Sequence, residues 1–112
     1  MSKPSPAEPV KLIFSVLARD VSSLNDAVEL LCRSYGVADF ISEMKPFDYT
    51  DYYRDEMGDN ISRRFLGMEK LIPPEMLPDI KRAANAIEDR FSCDSRRRVN
   101  IDPGYISKTN LI

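Results

Sequence analysis

Pro46 to Tyr53 read PFDYTDYY, so Phe47, Asp48, Tyr49, Asp51, Tyr52 and Tyr53 fall within eight positions. Rings and carboxylates this close suit one kind of chemistry: aromatic faces wall a planar or sugar-bearing ligand while carboxylates orient its polar atoms. The same residues also suit a small core that buries the rings and leaves the tyrosine hydroxyls in water. Loops that gather aromatics and acids are where binding function concentrates, so both readings stand. An anionic ligand also needs cations. Arg96, Arg97 and Arg98 are consecutive, and guanidinium groups make bidentate contacts with phosphate and carboxylate. Along an extended strand Arg96 and Arg98 share one face and Arg97 the other, so a solvated charge run is the competing account. Arg63 and Arg64 join this basic set only if the fold brings them near.

Asp48, Asp51, Asp55, Glu56 and Asp102 are oxygen donors of the type that hold Mg²⁺, without a defined ligand spacing. Mg²⁺ is the one cofactor they suggest, against the plainer account of solvated acids and a turn-forming Asp102. The chain contains no histidine, which removes Ser-His-Asp and Cys-His nucleophile pairs and the usual zinc sites within it. No complete catalytic constellation is visible. The candidate ligand-binding set is Asp48, Tyr49, Asp51, Tyr52, Tyr53, Arg97, Arg98, Asp102 and Tyr105. It implies a small anionic or nucleotide-like ligand. The alternative is a protein-interaction or oligomerisation module whose aromatic block faces a partner.

The elements that must position these residues belong to a chain of 112 residues, enough for one domain, with 43% hydrophobic and 30% charged residues. A net charge of -2 creates no field that draws nucleic acid or an anionic membrane. The longest nearly apolar run, residues 12–18, is far short of a membrane span, and no signal-peptide cleavage site follows it. Two cysteines, Cys32 and Cys93, fit a reducing cytoplasm better than a disulfide scaffold, and Cys32 lies on the apolar side of a helical pattern.

Residues 1–9 hold three prolines and read as a flexible tail, leaving residues 10–112 as the domain. Residues 10–17 (VKLIFSVL) suit a central strand covered on both faces. Ser22 or Ser23 opens a helix, with Ser23 and Asp26 at capping-box spacing and Gly36 as its stop. Residues 37–45 alternate imperfectly as a strand. A short helix over residues 51–57 capped by Thr50, then a turn at 58–60, leads to a strand over residues 64–71 with Gly67 as a bulge. A second helix opens with Pro78 as its first residue and shows Leu77, Ile80, Ala84, Ile87 and Phe91 on one face. Residues 99–102 form a short strand, and Asp102-Pro103-Gly104-Tyr105 has the chemistry of a type II turn; residues 105–112 fit either a strand or a helix start. The order β-α-β-β-α-β predicts an α+β two-layer sandwich of ferredoxin-like type, with two helices on one face of an antiparallel sheet.

The blocks PVKLIFSVLARD, PFDYTDYYRDEMG, RRFLGMEKLIPPEMLPDIKRAAN and RRRVNIDPGY, in this order, resemble the bacterial and archaeal domain-of-unknown-function family 4416 from Pro9 to Ile112. FDYTDYY combined with VNIDPGY is the specific part. Some relatives are described as GTP-binding, yet there is no GxxxxGK[ST] here, and Gly36, Gly58, Gly67 and Gly104 are too scattered for a phosphate loop. The resemblance implies further strand-like sequence, including a histidine, after Ile112. The expectation is therefore either a fragment truncated at its C-terminus or a shortened relative, with self-association or fraying of the region that ends in the apolar pair Leu111 and Ile112. A shared site would further bring residues 47–53 close to residues 99–105.

Overall fold

In the computed structural model, which describes residues 8–46, 61–92 and 98–107, β1 (Val10–Ala18) is the strand around which the rest assembles. Val10, Leu12, Phe14 and Val16 alternate onto one face and are buried. Helix α1 (Val21–Tyr35) follows, then the edge strands β2 (Ala38–Ile41) and β3 (Lys45–Pro46), and the long β4 (Ser62–Ile72). A 3₁₀ turn (Pro74–Met76) leads into α2 (Leu77–Phe91), and β5 (Val99–Ile106) completes the set. The sheet order is β2-β4-β1-β5, with β3 also on β4, and every pairing is antiparallel. This is the predicted α+β sandwich in the split β-α-β-β-α-β arrangement.

Handedness puts both helices on the same side. The β1-α1-β2 crossover passes over β4, and the β4-α2-β5 crossover passes back over β1 in a sheet pair of opposite direction. Two right-handed crossovers run in opposite senses from opposed strands leave their helices on one face. Leu24, Ala27 and Leu31 of α1 and Ile80, Ala84 and Ile87 of α2 close there over Leu12, Phe14, Val16, Leu66, Met68, Val99 and Ile101 as a single core. Each buried Leu, Ile, Val, Phe or Met side chain contributes about 1.5–3 kcal/mol, and each alanine methyl about 0.8 kcal/mol.

Several local expectations differ from what forms. β1 is central, and neither described helix covers its second face: Lys11, Ile13 and Ser15 stay half-exposed there, whereas Leu17 is buried. Asp20, not Ser22 or Ser23, caps α1, since its carboxylate accepts from both Ser23 N (2.9 Å) and Ser23 Oγ (2.9 Å). Gly36 ends the helix as expected, at φ 94°. The predicted strand over residues 37–45 is split. The Ser42 backbone N–H donates to Phe65 O (2.9 Å) while Ser42 Oγ accepts from Phe65 N (2.8 Å). A side chain thus replaces a carbonyl in the ladder, and pairing resumes only at Lys45.

Helix α2 starts at Leu77, with Pro78 inside its first turn, where a missing N–H costs nothing. The Asp102–Tyr105 stretch is no turn; β5 runs straight through it. Pro103 fits because β5 is an edge strand of the described sheet, and its outward position needs no donor. The register shifts between Lys11 and Ile13 opposite β4, so Gly67 does lie beside a bulge. The short helix and turn predicted between residues 51 and 60, most of the tail, and residues 108–112 lie outside the described residues.

Candidate functional site

Cross-strand partners share a face, so the register defines what the helix-free side of the sheet displays. It carries Lys11, Ile13, Ser15 and Leu17 from β1, opposite Ile106, Gly104, Asp102 and Asn100 from β5. From β4 come Gly67, Phe65 and Arg63, with Phe40 opposite Gly67 and Lys45 opposite Arg63.

Two features organise this face. The first is a strap across β4. Lys11 Nζ on β1 reaches over to Asp39 on β2, at 2.7 Å from Oδ1 and 2.6 Å from Oδ2, and donates a third bond to Met68 O at 3.0 Å. The intervening residue is Gly67, where an added Cβ would meet Lys11 Cε at 3.1 Å and Phe40 Cβ at 3.4 Å. Glycine lets the ion pair cross close to the backbone.

The second feature is Phe65, which separates two hollows. On one side an apolar hollow of about 360 Å³ is lined by Ile13, Phe40, Phe65, Gly67, Ile106 and the stem of Lys11. On the other a smaller hollow of about 200 Å³ is bounded by Ser42, Glu43, Lys45, Arg63 and Phe65. The Arg63 guanidinium carbon lies 4.8 Å from the centre of the Phe65 ring, a cation–π distance. Lys45 is Arg63's directly opposed cross-strand neighbour, and two like charges in that position work against pairing. Arg64, one residue on, turns to the helix side, where its Nε is buried with no hydrogen-bond partner among the described residues.

The residues singled out from sequence are spread differently. Asp48, Tyr49, Asp51, Tyr52, Tyr53 and Arg97 lie outside the described residues. Residues 47–60 nevertheless join β3 to β4, so the stretch leaves after Pro46 and returns before Ser62, beside Lys45 and Arg63. Ser62 pairs with Ala18, and Ala18 pairs with Val99, so the same end of the sheet also carries Arg19 and Arg98. Arg19 N donates to Arg98 O at 3.1 Å. At about 4.8 Å per strand, Pro46 and Val99 are roughly 14 Å apart across this row.

Asp102 and Tyr105 do not share a site. Asp102 is exposed on the helix-free face, where Asn100 Nδ2 donates to it at 2.8 Å, whereas Tyr105 packs against the core. Tyr105 is also seven residues along β5 from Arg98, roughly 23 Å at strand rise. Among the described residues no group of three or more His, Cys, Asp or Glu is placed to hold a metal ion. Phe40, Phe65 and Lys45 were missed by reading motifs; the available signal was Arg63, which had to be placed by the fold.

The electrostatics at the loop end are mixed. The Ser23 backbone N–H, helped by Arg98 and Arg19, holds the Asp20 carboxyl below its ordinary value against the opposing effect of burial. No described helix is long and apolar enough to cross a membrane.

Among the described residues these observations define an α+β domain whose sheet carries α1 and α2 on one face and the hollows beside Phe65 on the other. Residues 8–112 match the family described as a domain of unknown function, DUF4416, and the chain belongs to that family. No curated protein and no solved structure matches it.

Proposed function

We propose that the domain binds a small anionic, nucleotide-like ligand at the Lys45–Arg63 end of the sheet face that α1 and α2 do not cover. The observation that carries this reading is the opposed pair Lys45 and Arg63 set around the exposed Phe65 ring. Lys45 and Arg63 bring two cationic side chains of the type that contact anions to the described lining of this hollow, and the ring offers a planar group a stacking surface. Support also comes from the connection topology, which starts and ends the aromatic and acidic stretch 47–60 beside this pair and sets Arg19 and Arg98 on the same end of the sheet. Mg²⁺ would enter only with a phosphate ligand, held by acids of that stretch. The reading places the protein in the cytoplasm, in keeping with the free thiol of Cys32.

The test is thermal shift and calorimetry with inorganic phosphate, nucleoside mono- and triphosphates, each with and without Mg²⁺. Ligand at 100 times Kd stabilises by about 2.7 kcal/mol. The double variant Lys45→Ala/Arg63→Ala is expected to lose that gain. A wild-type melting temperature indifferent to every anion would refute the reading. The alternative, an interaction module, draws on Ile41 and Leu71, exposed at 47% and 55% outside both hollows; light-scattering mass across a concentration series checks it.

A further inference from the structure

β2 is held to the sheet differently from β1, β4 and β5. Each of those three carries fully buried side chains, Phe14, Met68 and Val99 among them. In β2 Ala38 is partly buried against the core, but Asp39, Phe40 and Ile41 are exposed, and Val37 just before the strand is 66% exposed. Burial therefore does little to keep β2 in place, and polar contacts must do the rest. Its ladder is irregular. The register shifts between Ala38 and Phe40, and just past the strand the Phe65 N–H finds the Ser42 hydroxyl instead of a carbonyl.

The residue that the register shift sets aside is Asp39, and Asp39 is the one that Lys11 grips. Lys11 belongs to β1, two strands away in the sheet. Its Nζ donates to both Asp39 carboxylate oxygens and to Met68 O of the strand between, so one side chain ties β1, β4 and β2 together.

We infer that β2 is a releasable edge strand and that the Lys11–Asp39 ion pair is its latch. With the latch closed, Phe40 stands as one wall of the apolar hollow over Gly67. With it open, residues 37–42 lift from β4 and that wall goes with them. β1, β4 and β5 stay paired beneath the helices, because the fully buried core draws no residue from β2. The latch can be worked from outside: its two side chains are 32% and 41% exposed, so salt weakens it far more than it weakens the buried contacts between the other strands. The ion pair thereby sets whether the hollow keeps its Phe40 wall, whatever the cationic end of the sheet holds.

Amide hydrogen exchange followed by NMR on the full chain tests this. The reporters are the N–H groups bonded across the β2–β4 seam: Ser42 to Phe65 O, Phe65 to Ser42 Oγ, and Glu69 to Val37 O. They are expected to exchange at least about tenfold faster than the amides of β1, the mark of local rather than global opening. Asp39→Asn and Lys11→Met, which keep most of each side chain's bulk, should each speed them a further two- to fivefold, roughly the effect of losing an exposed ion pair. Raising salt from about 0.05 M to about 0.5 M should act in the same direction on the wild type and barely move Asp39→Asn. Arg82→Gln, which breaks the exposed Arg82–Asp79 pair on α2, should leave the seam as it was. Seam amides that exchange at the β1 rate overturn the inference, since β2 then opens only with the whole domain. A seam unmoved by both Asp39→Asn and Lys11→Met overturns it too, because something other than the ion pair then holds the strand. An equal acceleration of the β1 amides in these variants also counts against it, for the pair would then brace the entire sheet.

Discussion

Asp20 shows how much one side chain decides. Its carboxylate satisfies the Ser23 N–H in the first turn of α1 and accepts from the Ser23 hydroxyl as well. Asp20→Ala is expected to cost about 1 kcal/mol, the usual value of a lost N-cap. Because the folded state holds this carboxyl below its ordinary value of 3.8, the stabilisation is fully present above that pH and is lost as pH falls through the lower folded value. Denaturant midpoints measured between pH 7 and pH 2 check both points, and Asp20→Asn should keep the cap while flattening its part of the acid limb. At the alkaline side, burial raises the Tyr35 phenol above its ordinary 10.0. The folded state favours the neutral form, so stability should decline as pH rises beyond 10. Gly67→Ala tests the strap. The new methyl would meet Lys11 Cε at 3.1 Å, the flexible part of a long side chain. Loss of the ion pair is the expected response, at a cost of about 1 kcal/mol or less given its exposure.

Among the elements, β5 is the one whose behaviour is least obvious from its residues. As an edge strand it would offer a row of backbone groups to any passing strand. Two features blunt it. Pro103 has no N–H to offer, and the outward Ile101 N–H is taken by Glu88 Oε2 of α2 at 2.6 Å. The helix thus caps the edge of the sheet it covers. Glu88→Ala is expected to lower stability by about 1–3 kcal/mol, the range for a buried donor left without a partner. It should also raise concentration-dependent association, because an edge donor becomes available. Chemical denaturation and light scattering on the same samples separate the two effects. Pro103→Thr, which restores a donor without removing Glu88, should show the association and little of the destabilisation.

The whole molecule is one cooperative unit in this arrangement. α1 and α2 touch the same core, and β1 reaches β4 and β5 directly, so no described element has a core of its own. Leu24→Ala in α1 and Ile80→Ala in α2 are therefore each expected to cost about 2–5 kcal/mol. Each should move a single unfolding transition seen identically by far-UV circular dichroism and tyrosine fluorescence. Two separated transitions, or a loss confined to one helix, would contradict the single core. The open face behaves in the opposite way. Phe40 and Leu71 lie outside the core, so their replacement should change stability by about 0.5 kcal/mol or less while changing what the surface binds.

The sequence by itself determined the elements and their class. Leu24, Ala27 and Leu31, and Ile80, Ala84 and Ile87, recur at helical spacing, which specifies two amphipathic helices and hence a sheet for them to cover. It also carried the family, since FDYTDYY and VNIDPGY are local strings read without a fold. Where a residue's role depended on its neighbours across strands, sequence reasoning stopped short. A proline and a glycine in succession signal a turn locally, yet Pro103 and Gly104 lie in a strand because β1 supplies a ladder on one side and the edge position excuses the missing donor. Lys45 and Arg63 are far apart in the chain and meet only through the β3–β4 register. Phe40, Phe65 and Ile106, from three different strands, line one hollow because strand order and register bring them together on the sheet face that α1 and α2 do not cover. Periodicity states that a side chain has an inside and an outside, but which outside faces combine is a matter of strand order, and strand order is set by packing over the whole domain.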